Sequence, residues 1–249
     1  TLKFFPTPSV AISDVSILNP PDSDYYGVQE LINISQVEIA SDFIALFQGQ
    51  SSVNGITFVR PEILLENVAG KGNNWSVLML GLKKMFSNAS EVKFDNAIKV
   101  IDGTVIYQEK GNKETFDFVN FEVFDDQDSQ GSTIIGSFER NASKVDIVGE
   151  VLPGAEKLIS TIRLKGDSFS VETVGELTVS QKSFYKGKTT TLITNLEKFI
   201  IDFFPTNIVL SKIHSQNKVD IVSDLEISGN FLSIKNAAIT SEDIKANVT

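Results

Sequence analysis

Gly55-Ile-Thr-Phe-Val-Arg-Pro-Glu-Ile-Leu-Leu-Glu-Asn67, followed after Val68-Ala69 by Gly70-Lys-Gly-Asn-Asn-Trp75, is the stretch whose reading decides the fold. It reads as a strand interrupted by one proline, then a glycine turn, then the only tryptophan of the chain. A proline has no N–H to donate to a ladder, so a strand carrying Pro61 is expected at a sheet edge or at a bend.

Working outward, the neighbouring segments show the same period of two, the mark of half-buried strands bounded by turn residues. Val10 to Leu18 is closed by Asn19-Pro-Pro-Asp22. Leu31 to Ala40 places Leu31, Val37 and Ile39 on one face and Ile32 and Ile34 on the other, so both faces carry apolar residues. Ser41 and Asp42 precede a short helix over Phe43 to Gly49, polar at its start and ended by glycine. A second, amphipathic helix is expected over Trp75 to Phe86, where Leu78, Leu82, Met85 and Phe86 share a face.

Downstream the alternation becomes nearly continuous: Val92 to Tyr107, Thr115 to Phe124, Ser132 to Glu139, Lys144 to Val151, Leu158 to Lys165 and Phe169 to Ser180. Strands this closely spaced, separated by Gly, Asn and Asp turns, predict an antiparallel meander. Leu196 to Phe204 predicts a helix ended by Pro205, with Leu196, Phe199, Ile200 and Phe203 along one stripe. Strands follow over Asn207 to Ile213, Lys218 to Ile227 and Phe231 to Ile239. The segments around residues 91 and 230 echo each other loosely as strand, Asn-Ala and strand.

Composition narrows the function classes. The 249 residues carry a formal charge of -10 and a pI of about 4.7, whereas a nucleic-acid surface needs a clustered basic face. The densest basic stretch, Lys182 to Lys188, is interrupted by Phe184 and Tyr185 and reads as a solvated strand or hairpin. Cysteine is absent and His214 is the only histidine, which removes thiolate chemistry and most triads and metal centres. Phe 18 against Tyr 4 and Trp 1 supplies large apolar area without a polar tip. No run approaches the roughly 18 apolar residues of a spanning helix. The opening Thr-Leu-Lys-Phe-Phe-Pro6 has no signal-peptide plan, so the chain reads as a piece of something longer, with any membrane anchor outside it.

The polar motifs favour structural readings. Asp125 to Gly131 resembles a calcium loop, yet the position for its bidentate glutamate holds Ser137, and flanking helices are missing. His214 has no acid or nucleophile beside it in sequence. Glu62 with Glu66, and Glu172 with Glu176, have the spacing of a solvated strand face. Gly70-Lys-Gly lacks the Lys-Ser of a phosphate loop. Asn33, Asn74, Asn88 and Asn141 begin glycosylation acceptor patterns that matter only in a eukaryotic secretory protein. The helix from Leu196 has a single cation, Lys198, so covering a sheet suits it better than lying on a membrane. No catalytic residue, metal site or cofactor is expected.

Set in order, Val10-Ala-Ile-Ser-Asp-Val-Ser-Ile-Leu-Asn-Pro20, Ile32-Asn-Ile-Ser-Gln-Val-Glu-Ile39, the Leu46-Phe-Gln-Gly49 break, Val53 to Leu65 and Gly72-Asn-Asn-Trp75 resemble the N-terminal region of the bacterial AsmA family. Phe94 to Lys110, Ile134 to Val151 and Phe231 to Val248 are similar to the family's later strand pairs and its recurring closing phrase. The resemblance implies a mainly β fold: an elongated, curved antiparallel sheet forming an open groove, with short helices capping its end or edges. Residues 1–90 would be the N-terminal unit and 91–249 the continuing groove.

It also implies a periplasmic location, an inner-membrane anchor upstream, and bridge-like lipid transfer in support of outer-membrane biogenesis. Phospholipid acyl chains would be the ligand, with other envelope proteins as further partners. The groove lining expected on this basis is Phe94, Phe116, Phe118, Ile134, Val145, Ile147, Phe169 and Val171. The competing expectation is an envelope scaffold module with no lipid ligand; an enzyme using Asp or Glu is a distant third.

Overall fold

The computed structural model describes residues 2–3, 9–19, 30–41, 53–68, 72–75, 98–126, 131–153, 157–178, 185–203, 218–228, 231–241 and 245–248. These fall into two compact units, Thr1–Gln127 and Asp128–Thr249. The helix expected over Phe43 to Gly49, nearly all of that over Trp75 to Phe86, and the strand over Asn207 to Ile213 lie outside the described residues.

The first unit is a sheet of β1 (Leu2–Lys3), β2 (Ser9–Leu18), β3 (Glu30–Ser41), β4 (Val53–Val68), β6 (Ile98–Glu109) and β7 (Asn112–Asp126), in that spatial order, with β5 (Gly72–Asn73) paired to β4. Neighbours run antiparallel except β4 and β6, which are parallel from Ile56↔Ile98 to Asn67↔Glu109. The wholly antiparallel expectation is therefore corrected to a mixed sheet. A parallel neighbour needs a crossover of a dozen or more residues, and residues 69–97 between the two strands supply that length.

β4 lies between β3 and β6, so the edge position expected for Pro61 is wrong. The bend is right. Arg60 has a positive φ of 48°, and the β4–β6 ladder skips from Val59↔Ile101 to Glu62↔Thr104. Pro61 falls in that gap, where no ladder bond is asked of its nitrogen.

The second unit is an antiparallel meander of β8 (Gly131–Arg140), β9 (Ser143–Pro153), β10 (Leu158–Lys165), β11 (Phe169–Leu177), β12 (Tyr185–Ile193), β13 (Val219–Ser228), β14 (Phe231–Ser241) and β15 (Lys245–Val248). Lys110-Gly111 and Asn141-Ala142 are the two-residue turns joining β6 to β7 and β8 to β9, and all four have positive φ. Such turns match the twist of the strands they join. β12 was legible only as the short basic stretch ending at Lys188.

The helix α1 (Leu196–Phe203) follows β12. Asn195 caps it, its Oδ1 accepting the Lys198 N–H at 2.9 Å. The N–H groups of Thr194 and Asn195 both donate to Ser168 O, at 2.8 and 3.3 Å. At the other end Asn141 Nδ2 donates to Asp202 O at 2.9 Å. Lys198 Nζ reaches both Asp202 Oδ2, at 2.9 Å, and Ser143 Oγ, at 3.2 Å. The helix is thus tied to the β8–β9 turn and the start of β11, and its place on the sheet is fixed by directional bonds as well as by packing.

Candidate functional site

In an antiparallel pair, residues directly opposite share a face, so the registers sort the side chains of the second unit. One face carries Ile134 and Phe138 of β8, Val145, Ile147 and Val151 of β9, and Leu158, Ile162 and Leu164 of β10. It continues through Phe169, Val171 and Leu177 of β11, Tyr185 and Ile193 of β12, and Val219, Ile221, Leu225 and Ile227 of β13. Among the described residues of β8 to β13 the only charged one on it is Arg140, whose guanidinium carbon stands 5.6 Å from the Phe203 ring centre.

The opposite face is charged. Arg163 pairs with Glu172 at 3.0 Å, and Glu226 takes Lys186 at 3.3 Å and Lys235 at 3.2 Å. Hydrogen bonds from Lys235 and Lys186 hold the Glu226 carboxyl below the usual carboxylate range. Exposed pairs of this kind contribute little to stability; they make this the wet side. Glu172 and Glu176 belong to it, paired with Arg163 and Lys157, as the sequence spacing implied.

The apolar face is covered at one end. Val145, Phe169 and Ile193 are buried there, and Leu196, Phe199 and Phe203 of α1 pack on them. The Phe169 ring meets Phe199 at 5.3 Å and Phe203 at 4.9 Å in edge contacts, each worth about 0.5–1.5 kcal/mol beyond area burial. Away from α1, Ile134, Ile147, Val151, Leu158, Ile162, Leu177, Leu225 and Ile227 are only half-buried. A face closed by a second packed layer would have buried them fully.

The first unit has an apolar face with a crease. Asp14 of β2, Arg60 of β4, Asp102 of β6 and Phe118 of β7 all have positive φ, between 48° and 55°. The registers place Asp14, Arg60 and Asp102 in one row, with Phe118 beside it in the bulge between Val119 and Phe116. At this row the apolar positions change parity: Val10 and Ile12 give way to Val15 and Ile17, Ile56 and Phe58 to Pro61 and Ile63, Ile98 and Val100 to Val105 and Tyr107.

The crease turns the pleat over and keeps both sets on one face. A Cβ built on Gly103 would stand 3.1 Å from Pro61 Cγ and 3.2 Å from Val100 Cγ1, a closeness that an unbroken strand forbids for residues three apart. The apparent two-faced pattern of Leu31 to Ala40 has the same origin, since Ile34 and Val37 are both buried. Asn120 ties the crease, accepting from Asp102 N at 3.1 Å and donating to Phe118 O at 2.9 Å.

Gly72-Asn-Asn-Trp75 closes one end of this unit. β3 pairs with β4 only as far as Ile63, and Asn74 takes over the vacated slot. Its Oδ1 accepts the Glu66 N–H at 2.8 Å, its Nδ2 donates to Leu64 O at 2.8 Å, and its N–H donates to Glu66 O at 3.1 Å. The Trp75 ring centre lies 5.9 Å from that of Tyr107. Trp75 belongs to this turn, and the helix it was expected to cap lies outside the described residues.

Glu66 departs from the sequence reading. It was placed on a solvated face, but it is fully buried and neither carboxylate oxygen has a hydrogen-bond partner among the described residues. Burial pushes its carboxyl above the ordinary value of 4.5. The folded chain therefore holds this proton at pH values where the unfolded chain has lost it, and stability falls as pH rises from the ordinary value through the raised one. Glu66→Gln is expected to remove that fall. In melts at pH 5 and pH 8 the variant should lose less stability between the two than the parent chain.

Of the expected lining residues, Ile134, Val145, Ile147, Phe169 and Val171 share the apolar face of the second unit. Val145 and Phe169 sit beneath α1 and Val171 packs against that cluster, while Ile134 and Ile147 are half-buried outside it. Phe116 pairs with Val105 in the first unit, and Phe118 stands at the crease, 59% exposed. Phe94 lies outside the described residues. Sequence reasoning missed the crease residues and Asn74; the parity switch was the available signal for the first.

The fold is that of a β scaffold: the sheet of the second unit has one charged and one apolar face, and no group of three or more His, Cys, Asp or Glu converges among the described residues. No helix among them is long and apolar enough to cross a membrane. The chain belongs to the AsmA family, whose model matches residues 1–199 of the 249. This is a non-catalytic transport and scaffold family of the bacterial envelope. No curated protein and no solved structure matches the chain.

Proposed function

We propose that the chain is a periplasmic lipid-binding segment that takes part in phospholipid transfer and so supports outer-membrane biogenesis, tethered to the inner membrane by a segment beyond it. The observation that carries this reading is the half-buried apolar face of the second unit, unbroken by charge from Ile134 to Ile227 except at Arg140. Each acyl methylene removed from water contributes about 0.8 kcal/mol, so a chain laid along such a face is held without any specific polar contact. Ile134 and Ile147 would line that track, Val171 would stand at its margin with the helix-covered cluster, and Phe116 and Phe118 would serve the first unit. Head groups would stay in water.

The packed cluster of Val145, Phe169 and Ile193 under α1 favours the second reading, an assembly module that holds other envelope proteins. On the lipid reading the same cluster is the plug that ends the track. Solvent extraction of the chain purified from cells separates them: phospholipid in near-stoichiometric amount is expected, and a folded chain that yields none sinks the lipid reading.

A further inference from the structure

The apolar face of the second unit is crossed by a band of hydroxyl groups. Ile162, Thr173, Thr189 and Ser223 are successive cross-strand neighbours on β10, β11, β12 and β13, and Ser160, Gly175 and Gly187 form the adjacent row. The two glycines make room for Tyr185. A Cβ on Gly175 would fall 2.6 Å from the Tyr185 hydroxyl, and one on Gly187 would fall 2.3 Å from it. The tyrosine thus lies across both and brings its oxygen to 2.7 Å from Thr173 Oγ1. Thr189 Oγ1 donates to Thr173 Oγ1 at 3.3 Å. Leucine or valine at these positions would have extended the apolar face; hydroxyls stand there instead.

The band has more donors than it uses. Three hydroxyls on Tyr185, Thr173 and Thr189 share two hydrogen bonds, so one of their hydrogens has no acceptor within the chain of bonds. Ser160 Oγ is fully buried and has no hydrogen-bond partner among the described residues. A buried hydroxyl without a partner is costly and uncommon. Among the described residues no Lys or Arg of β10 to β13 shares this face, and a donor surplus without a cation matches a neutral acceptor oxygen and not a phosphate, whose charge calls for Arg or Lys.

We propose that the Ser160, Thr173, Tyr185 and Thr189 hydroxyls form a subsite for the ester carbonyls of a glycerolipid, set between the helix-covered cluster and the half-buried field of Leu158, Leu177, Leu225 and Ile227 that takes its acyl chains. It rests on the lipid-binding reading above and adds to it a place where the lipid is held in register. The face therefore distinguishes an ester-linked lipid from a plain hydrocarbon chain, which an unbroken apolar track does not.

The test is competition between an ester-linked diacyl phospholipid and its ether-linked dialkyl counterpart, which has the same head group and chain length but no carbonyls. Bound lipid is read by native mass spectrometry of the full chain. About tenfold preference for the ester lipid is expected, the size that one or two hydrogen bonds give. Thr173→Val with Thr189→Val, which keeps side-chain shape and β propensity, should bring the ratio close to one through loss of the ester lipid. Equal uptake of both lipids by the parent chain, or a preference that survives the double substitution in a folded protein, overturns the subsite alone. Failure to bind either lipid removes the lipid-binding reading together with it. The parent chain's own ratio decides the matter even where the variant does not fold.

Discussion

Replacing Val145 by aspartate is expected to unfold the second unit, whereas the same change at Ile147, two residues along the same face, is expected to leave it folded and strip it of lipid. Val145 has no exposed surface and sits beneath α1 among Phe169, Ile193 and their neighbours. A carboxylate there has no partner, and burying it or holding it protonated costs several kcal/mol. That is a large share of the about 5–15 kcal/mol that stabilises a domain. Ile147 is half-buried and outside the cluster, so its carboxylate reaches water at a cost of about 1–2 kcal/mol in lost apolar burial. It also sets a charge in the middle of the track. Circular dichroism melts and lipid extraction on the two variants read the contrast. Both unfolding alike would favour the assembly module, in which the whole face is a core.

The second large effect belongs to Asn74. It is fully buried, and its amide serves the Glu66 N–H, the Leu64 carbonyl and Asn19 Oδ1, the last at 3.2 Å. Asn74→Ala leaves a backbone donor and a backbone acceptor unsatisfied beside an already orphaned Glu66 carboxyl. Each buried orphan costs about 1–3 kcal/mol, so a loss of about 2–4 kcal/mol is expected, read as a lower urea midpoint with an unchanged slope. Hydrogen exchange at the Glu66 amide should accelerate with it. Asn74→Asp is expected to be no better. It keeps the acceptor but loses both amide donors, and it faces the Leu64 carbonyl with negative charge.

Tyr107 shows how the same end of the first unit is held. Burial first, then its hydrogen bond to Glu109, keeps the phenol above its ordinary value of 10.0. It remains a donor, at 3.0 Å to Glu109 Oε2, while Asn67 Nδ2 donates to Glu109 Oε1 at 3.0 Å. Trp75 closes over this group through its contact with Tyr107. The Gly72 to Trp75 turn is thus a lock on β4 and β6 built from side-chain amides and aromatic rings, in a place where the ladder of β3 has run out.

Much of the fold was legible because period-two alternation survives in most strands. The bounds of β2, β3, β10 and α1 fall within one residue of those read from pattern alone. The failures have physical causes. In β12, Gly187, Thr189 and Thr191 occupy the positions where apolar residues mark other strands, because Tyr185 covers the glycines and the hydroxyls pair among themselves. The parallel partnership of β4 with β6 depends on which strand comes alongside after a long connection, and no local pattern records that. Pro61 was expected at an edge or a bend because a proline removes one ladder bond; it is at a bend, where the left-handed residue before it has already opened the ladder to β6.

The candidate faces were less legible than the strands. Phe116, Ile134, Ile147 and Val171 were found by alternation, which marks a face but not what covers it. Val145 and Phe169 look the same in sequence and lie under a helix. Glu66 looked like any exposed strand glutamate, since nothing in Glu62-Ile-Leu-Leu-Glu66 tells of the turn that packs beside it.

Native mass spectrometry of the chain purified from cells, compared with its Ile147→Asp variant, tests most directly whether the apolar faces are tracks for lipid. The parent chain is expected to carry mass adducts of phospholipid size, and the variant, equally folded by circular dichroism, is expected to have lost most of them. A parent chain that flies without adducts and takes up no phospholipid from added vesicles would contradict the account.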